Sequence, residues 1–318
     1  MTKKLYGKRA IALVLCAILL FTLAACGGGD EPVEESSDIP SSSSAVSSAP
    51  AEKISEDTAK KLNDAKTLNP ETVSWISIPN TNIDYPVLQS LEDNFKYETK
   101  DIEGKKSKLD TSTIDKDVAK NLGGVNAYIG AIYYDNRANV STDPGQSSRN
   151  MLIYGHNWTN ILDPFRIGNK KDYDVMFAQL KSYTDESFAK QNPYIYLSTG
   201  DETQVYKVFG IVYFNAFCSN YIDPNPDDAK YQKLLDDAQA RSLFKYDTKV
   251  STDDNIISLI TCSRKYPKSV TQGDGFNIQR FAIMARLLRD GESDKDAVTV
   301  TKNTGNVDPK WTMKTHSL

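Results

Sequence analysis

One stretch of the chain reads Asn255-Ile256-Ile257-Ser258-Leu259-Ile260-Thr261-Cys262 and ends in a thiol. Its isoleucines, leucine and threonine predict a buried β-strand with Cys262 at its end. A polar, glycine-containing loop follows at 263–275, and side chains at such a junction commonly reach a cleft. Cys262 is therefore a candidate nucleophile, and it needs an acid or base within reach.

A histidine follows a second strand-like stretch, Met151-Leu152-Ile153-Tyr154-Gly155. This residue, His156, is the single histidine of the central region, and the other histidine of the chain is His316 near its end. A lone histidine is more often structural than catalytic. Here it is the imidazole available to activate the thiol, so we take Cys262 and His156 as a candidate catalytic pair.

The remainder of the central region is mainly β. Eight strand-like runs separated by turn residues predict a barrel or a sandwich. Amphipathic helices are predicted at 52–68 and at 227–244, the second one placed before the strand that carries Cys262. The runs are 75–78, 83–88, 127–134, 151–154, 194–197, 205–214, 256–261 and 281–288.

The two ends of the chain differ in composition from residues 51–290, which we predict to form one folded domain. Residues 1–25 have a basic start and a short apolar run, the order of a secretory signal peptide. Residues 26–50 are rich in serine and poor in apolar side chains, which predicts a disordered tether. Residues 291–318 are polar again and predict a loosely held C-terminal tail.

The apolar run ends in Leu23-Ala24-Ala25-Cys26-Gly27, which resembles the lipobox of bacterial lipoproteins. The resemblance implies cleavage before Cys26 and attachment of lipid to its thiol. An ordinary signal peptide with an incidental cysteine, or an uncleaved anchor helix, are the alternatives. We therefore expect an exported protein, held by lipid at the extracellular face of the cell membrane.

The charge excludes some partners. Residues 1–25 contain four positive charges and no negative ones, so their removal changes the formal net charge from −4 to −8. An acidic chain is a poor ligand for nucleic acid and for anionic lipid. The sequence contains no dinucleotide-type glycine loop and no paired metal-ligand motif, so we expect no cofactor and no metal.

The cysteine count narrows the chemistry. Cys16 lies in the predicted signal peptide and Cys26 is assigned to lipid, which leaves Cys218 and Cys262. A disulfide between these two is the alternative to a catalytic thiol in an exported protein. Cys218 follows an apolar run and predicts a small buried hydrophobic residue instead.

Three motifs, in the same order along the chain, resemble those of the sortase family. Ser258-Leu259-Ile260-Thr261-Cys262 is similar to the signature around the sortase nucleophile, with serine in place of the first threonine. Tyr154-Gly155-His156-Asn157 matches the histidine motif, and 280–287 resembles the strand that begins with the sortase arginine, here Arg280. Segments 75–87 and 176–180 are similar to class B members.

This resemblance, over roughly residues 55 to 290, implies a fold and a reaction. The fold is an eight-stranded β-barrel with an N-terminal helix and a helix inserted before the nucleophile strand. The reaction is transpeptidation, in which Cys262 forms a thioester and His156 transfers protons. Arg280 would stabilise the oxyanion or the substrate backbone. Arg264 and Arg286 are alternatives, although Arg286 lies about 20 Å along the same strand.

Three neighbours are candidates for supporting roles. Asn157 either orients the imidazole or is an exposed turn residue. Thr261 and Ser263 flank the nucleophile and are expected to donate hydrogen bonds near the acyl group.

The resemblance also implies partners. The donor would be a surface protein with a C-terminal sorting signal of the Asn-Pro-x-Thr kind. The acceptor would be an amine of a peptidoglycan precursor or of a pilin. One rival is a noncatalytic sortase-like lipoprotein that binds peptide or cell wall. Another is a papain-like peptidase, whose cysteine usually precedes its histidine, and an L,D-transpeptidase would need a Ser-His-Gly-Cys run that is absent.

Overall fold

The computed structural model describes residues 51–109, 128–161, 165–168, 174–267, 269–271 and 278–318. The predicted signal peptide, Cys26 and the predicted tether lie outside these residues. Eleven β-strands and four α-helices are found in the described part of the chain. No helix in that part combines the length and the apolar composition that a membrane crossing requires.

The elements follow the chain in a simple order. The helices are α1 (Glu56–Leu68), α2 (Lys96–Thr99), α3 (Glu186–Gln191) and α4 (Asp228–Arg241). The strands are β1 (Glu52–Lys53), β2 (Thr72–Ser77), β3 (Asp84–Leu88), β4 (Ile132–Tyr134), β5 (Asn150–Tyr154), β6 (Tyr194–Thr199), β7 (Glu202–Asn215), β8 (Phe244–Tyr246), β9 (Ile256–Cys262), β10 (Gln279–Leu287) and β11 (Val300–Lys302).

Eight of the strands close a barrel in the order β7, β10, β9, β5, β4, β3, β2 and β6, and β6 pairs back with β7. The pairs β3–β4 and β5–β9 are parallel, and the others are antiparallel. Closure removes the exposed strand edges. The expected mainly β, eight-stranded barrel is confirmed.

Strand β9 is buried on both faces, which explains its nearly continuous apolar sequence. Ile257 and Leu259 belong to the cluster inside the barrel. Ile256 and Ile260 belong to the outer cluster, which the apolar side of α4 covers. Each buried isoleucine or leucine contributes about 1.5–3 kcal/mol relative to an exposed one. Packing from two sides therefore fixes the strand that ends at Cys262.

Both predicted long helices are present, with boundaries set by capping. Helix α1 begins after Ser55, whose hydroxyl accepts a hydrogen bond from Thr58 N at 3.2 Å. Helix α4 begins after Asp227, whose carboxylate accepts from Lys230 N at 2.9 Å. Such side chains satisfy amide groups that have no partner inside the helix.

Residues 291–318 are mostly exposed, yet they are attached to the barrel domain at several points, so the expectation of a loosely held tail is wrong. β11 pairs with β8, and the Trp311 side chain is 8% exposed. The backbone of His316 exchanges hydrogen bonds with Phe217 O at 3.0 Å and Ser219 N at 2.9 Å. Isolated apolar residues and backbone bonds hold this segment, and neither produces a periodic pattern in the sequence.

Candidate active site

Three adjacent strands bring the predicted catalytic side chains to one level of the barrel. Tyr154 pairs with Ile260 across the parallel strands β5 and β9. Continuing this register by two residues places His156 beside Cys262. On the other side of β9, Arg280 pairs directly with Cys262. Residues directly opposite each other point to the same face of a sheet, so the register brings the thiol, the imidazole and the guanidinium together.

The three side chains line one cavity of about 310 Å³. Its walls combine aromatic, aliphatic and charged groups, a composition typical of ligand sites. Besides Cys262, His156 and Arg280, the cavity is lined by Asn94, Phe95, Glu98, Tyr133, Asp135, Arg137, Tyr154, Gly155, Phe214, Ala216, Ile222, Ile260 and Thr261. A larger cavity near β1 has neither cysteine nor histidine in its walls.

Both described cysteines are free thiols, which excludes the disulfide alternative in this structure. Cys262 is partly exposed, whereas Cys218 is buried. Burial raises the pKa of the Cys218 thiol, which disfavours its thiolate. Cys218 is therefore the buried hydrophobic residue that the sequence predicts, and Cys262 is the thiol in the cavity.

His156 is held by a hydrogen bond to the backbone of α2. Its Nε2 donates a hydrogen bond to Glu98 O at 2.6 Å, so Nδ1 is the acceptor nitrogen of the neutral ring. Burial lowers the pKa of His156 below its usual 6.5, and the positive charge of Arg280 adds to this. The carbonyl and carboxylate of Glu98 oppose the shift. The neutral imidazole therefore predominates at neutral pH.

Two glycines allow this close packing around His156. Gly130 has φ of +66°, and a Cβ there would lie 2.6 Å from Tyr97 O and 3.1 Å from His156 Cδ2. At Gly155 a Cβ would lie 2.5 Å from Ile132 Cδ1. Larger residues at either position would displace the backbone that carries or contacts the imidazole.

Asn157 and Thr261 connect the histidine segment to the nucleophile strand. The Asn157 Nδ2 donates to Asn160 O at 2.9 Å and to Cys262 O at 3.3 Å. Its side chain is buried, so the expectation of an exposed turn residue is wrong, because the amide satisfies backbone groups inside the turn. The Thr261 hydroxyl donates to Gly155 O at 2.7 Å. Its hydroxyl therefore holds the backbone next to His156.

The Ser263 hydroxyl lies in the barrel interior, and Ser263 directly follows the nucleophile Cys262 in the chain. It is fully buried and accepts a hydrogen bond from Lys181 Nζ at 3.0 Å. The same ammonium lies 3.9 Å from the ring centre of Phe281 and 4.5 Å from that of Tyr213. Ser263 is not among the residues of the cavity, so the expectation that its hydroxyl donates a hydrogen bond near the acyl group is wrong. Nothing in the sequence pattern signals this buried ammonium.

The structure separates the three candidate arginines. Arg280 lines the cavity with Cys262. Arg286 is buried at the other end of β10, where it forms an ion pair with Glu292 at 2.6 Å. Arg264 is half-buried, burial lowers its pKa, and it does not line the cavity. Of the three, Arg280 is the guanidinium that shares the cavity with the thiol.

A second charged group in the cavity has no counterpart among the sequence predictions. Asp135 is buried and forms an ion pair with Arg137 at 2.8 Å, and the Tyr154 hydroxyl donates to its carboxylate at 3.2 Å. Burial would raise the pKa of Asp135, but the hydrogen bonds from Arg137 and Tyr154 hold it below its usual value. The one sequence feature that indicated Asp135 is its position directly after the strand-like run 127–134.

Comparison with known proteins agrees with this geometry. A family model described as the Sortase domain matches residues 76–287. The chain belongs to the sortase family. It is 29% identical to Sortase B of Listeria monocytogenes over 204 residues, which cover 64% of this chain and 67% of the relative. It is 23% identical to Sortase B of Staphylococcus aureus over 223 residues, covering 70% and 72%.

Solved sortase B structures share the fold. The structure of Clostridium perfringens sortase B superimposes with a TM-score of 0.51 at 26% identity and covers 71% of this chain and 98% of its own. That of Bacillus anthracis sortase B gives a TM-score of 0.51 at 25% identity, with 76% and 90% covered. The class B resemblance is confirmed.

The protein is therefore a sortase-type cysteine transpeptidase. The papain-like alternative is excluded by the family and the fold, and the noncatalytic alternative is not favoured. The lipoprotein-type signal peptide lies outside the matched residues and stays a prediction.

Proposed function

We propose that this sortase cleaves a C-terminal sorting signal of surface proteins and transfers the acyl group to an amine. The single observation that carries this proposal is the cavity shared by Cys262, His156 and Arg280 at the ends of three adjacent strands. Such an arrangement supplies a nucleophile, a proton carrier and a permanent positive charge.

The first half-reaction is acylation of the enzyme. The Cys262 thiolate attacks the carbonyl carbon of the scissile peptide bond, and the charge that develops on the oxygen is stabilised by Arg280. The tetrahedral intermediate then breaks its C–N bond. His156 gives a proton to the leaving amine from Nδ1, since its Nε2 proton is engaged with Glu98 O. A thioester on Cys262 remains.

The second half-reaction returns the enzyme to its starting state. An incoming amine attacks the thioester carbon while His156 accepts its proton. The C–S bond breaks, the new amide leaves, and the thiolate is regenerated. The lowered pKa of His156 makes the imidazolium a minor species at neutral pH, so a small fraction of the enzyme carries the reactive ion pair.

The donor that we propose is a sorting signal of the Asn-Pro-x-Thr kind. The walls of the cavity support a peptide donor, because aromatic and aliphatic side chains line it together with Asn94 and the Asp135–Arg137 pair. The acceptor is an amine of a peptidoglycan precursor or, as the second candidate, of a pilin lysine. Asn157, Thr261 and Ser263 take supporting roles by fixing the backbone around Cys262 and His156.

We further propose that the protein is exported and attached to the extracellular face of the membrane through lipid on Cys26. The sequence of residues 1–27 supports this proposal. A tether of 25 residues would extend up to about 80 Å, enough to bring the barrel toward the cell wall. Metabolic labelling with a fatty-acid probe tests it, and label that persists in Cys26→Ala would contradict acylation at that residue.

A turnover assay tests the reaction. Residues 51–318 are incubated with a library of sorting-signal peptides and a short amine nucleophile, and the ligated product is identified by mass spectrometry. We expect ligation by the unaltered protein and by Cys218→Ala, and none by Cys262→Ala. The absence of product with every donor, together with unchanged wall display in a Cys262→Ala strain, would favour the noncatalytic binding protein.

A further inference from the structure

The segment 303–318, here called the C-terminal strap, leaves β11 and crosses the outside of the barrel. It starts at the end of α4, where the Asn303 Nδ2 donates to Ala240 O at 3.2 Å and to Ser242 O at 2.9 Å. The strap lies beyond residue 287, where both β10 and the match to the family model end. The closed barrel therefore contains no strand from the strap.

The middle of the strap contacts the residues that follow the nucleophile. The Trp311 ring lies 5.0 Å from the Tyr266 ring, centre to centre. The Tyr266 hydroxyl donates to Asp308 Oδ1 at 2.7 Å. The Tyr266 ring also lies 5.8 Å from the ring of Tyr213 in β7, centre to centre. Tyr266 is thereby held between the barrel and the strap.

The backbone of Tyr266 is joined to the start of β10. Tyr266 N donates to Gln279 Oε1 at 2.8 Å, and Gln279 Nε2 donates to Tyr266 O at 2.8 Å. Ser263 N also donates to Gln279 O at 3.2 Å. Gln279 immediately precedes Arg280, and Ser263 immediately follows Cys262. These hydrogen bonds therefore link Tyr266 to the residues next to Cys262 and Arg280.

The strap has a second attachment at the end of β7, at Asn215, which pairs with Gln279. The Asn215 Nδ2 donates to Lys310 O at 3.1 Å and to Thr312 O at 2.8 Å. His316 continues the contact through its backbone bonds to residues 217 and 219. The wall segment 216–222 includes Ala216 and Ile222, both of which line the cavity with Cys262.

We propose that the C-terminal strap is a positioning element of the active site, which acts through Tyr266 on the residues beside Cys262 and Arg280, and through Asn215 on the wall segment 216–222. This inference rests on the proposed transpeptidation. It predicts that loosening the strap misplaces the reacting groups while the barrel stays folded. A misplacement of about 1 Å can cost up to 10²-fold in rate.

The decisive variant is Trp311→Ala in the protein that spans residues 51–318. Met313→Ala is the matched control, because Met313 is an exposed apolar residue of the same strap. Hydrogen exchange of the Tyr266 amide reports positioning without any donor peptide. We expect Trp311→Ala to speed this exchange and to lower kcat about tenfold with KM little changed, Trp311→Phe to restore both, and Met313→Ala to resemble the unaltered protein.

Two outcomes would overturn the proposal. Unaltered Tyr266 exchange and kcat in Trp311→Ala would show that the strap does not position the site. Exchange that accelerates uniformly over all barrel strands would show a general loss of stability instead. If Trp311→Ala fails to fold, Tyr266→Phe, which keeps the ring and removes the bond to Asp308, is judged by the same two readouts. Failure of the proposed transpeptidation would give a different result. The unaltered protein would then show no turnover, while the difference in Tyr266 exchange between it and Trp311→Ala would remain.

Discussion

An arginine lies near each end of β10, and the two side chains have different surroundings. At the C-terminal end of this strand, Arg286 is buried, donates to Lys249 O and pairs with Glu292. The hydrogen bonds from Arg286 lower the pKa of Glu292 to about 2. At its start, Arg280 lines a cavity beside a thiol and an imidazole. One guanidinium stabilises the fold through a carboxylate, whereas the other is placed where a substrate can use its charge.

The largest expected effect is a loss of activity on substitution of Arg280, at the end of β10 that lines the cavity. Arg280→Ala removes the charge that stabilises the developing oxyanion, so we expect kcat/KM to fall about 10²- to 10³-fold. Because Arg280 is partly exposed, the denaturation midpoint should change little. Steady-state ligation kinetics and urea unfolding measure the two quantities. A variant that unfolds early but keeps its turnover would reverse the roles assigned to the two arginines.

The complementary substitution is Arg286→Ala at the other end of the strand. It leaves the Glu292 carboxylate without its main partner, and we expect the free energy of unfolding to fall by about 3 kcal/mol, the lower end for a buried pair because Glu292 is partly exposed. Activity measured well below the unfolding midpoint should be retained. A fall in kcat comparable with that of Arg280→Ala would contradict the comparison.

Gly130 tests whether the backbone packed against His156 is needed for activity. Gly130→Ala places a side chain at a positive φ and against two backbone oxygens, at a cost of about 1–3 kcal/mol. Relief of the clash moves Glu98 O away from His156, so we expect kcat to fall about tenfold. Gly291→Ala is the control, since Gly291 also has a positive φ but has open space around it. Equal effects of both variants on kcat would remove the special role of Gly130.

The smallest effect is a change in the titration of His156. We expect its imidazole to titrate below 6.5 by NMR, and Arg280→Gln to raise this pKa because a repelling charge is removed. Arg286→Ala should leave it unchanged, and His316→Gln assigns the signal. As the pH falls below 6.5, His156 is protonated in the unfolded chain before it is protonated in the folded chain. Acidification therefore lowers the free energy of unfolding through His156. A pKa above 6.5 would contradict the burial of the imidazole.

The sequence was sufficient for the parts of the molecule that local pattern specifies. Strand β9 alternates between two apolar clusters, and its continuous apolar run predicted a buried strand ending at Cys262. The two long helices followed from apolar spacing, with ends at caps. The order of the three motifs indicated which side chains would meet.

Other features depend on contacts between distant segments and left no local signal. The bond from His156 to Glu98 O uses a backbone atom, which any residue could supply. Asn157 is buried because the turn closes over its amide, and a polar residue after a strand more often predicts exposure. Trp311 appeared isolated in a polar tail, yet it packs on Tyr266. Tertiary packing decided each of these cases.

The most direct test of the central claim is the intact mass of the protein, residues 51–318, during turnover of a sorting-signal peptide. We predict a transient acyl adduct that maps to the peptide containing Cys262. Hydroxylamine removes this adduct, as it must remove a thioester, and the adduct also forms in Cys218→Ala. Ligated product that forms in Cys262→Ala, or an adduct carried by Cys218, would contradict the assignment of the nucleophile to this end of the barrel.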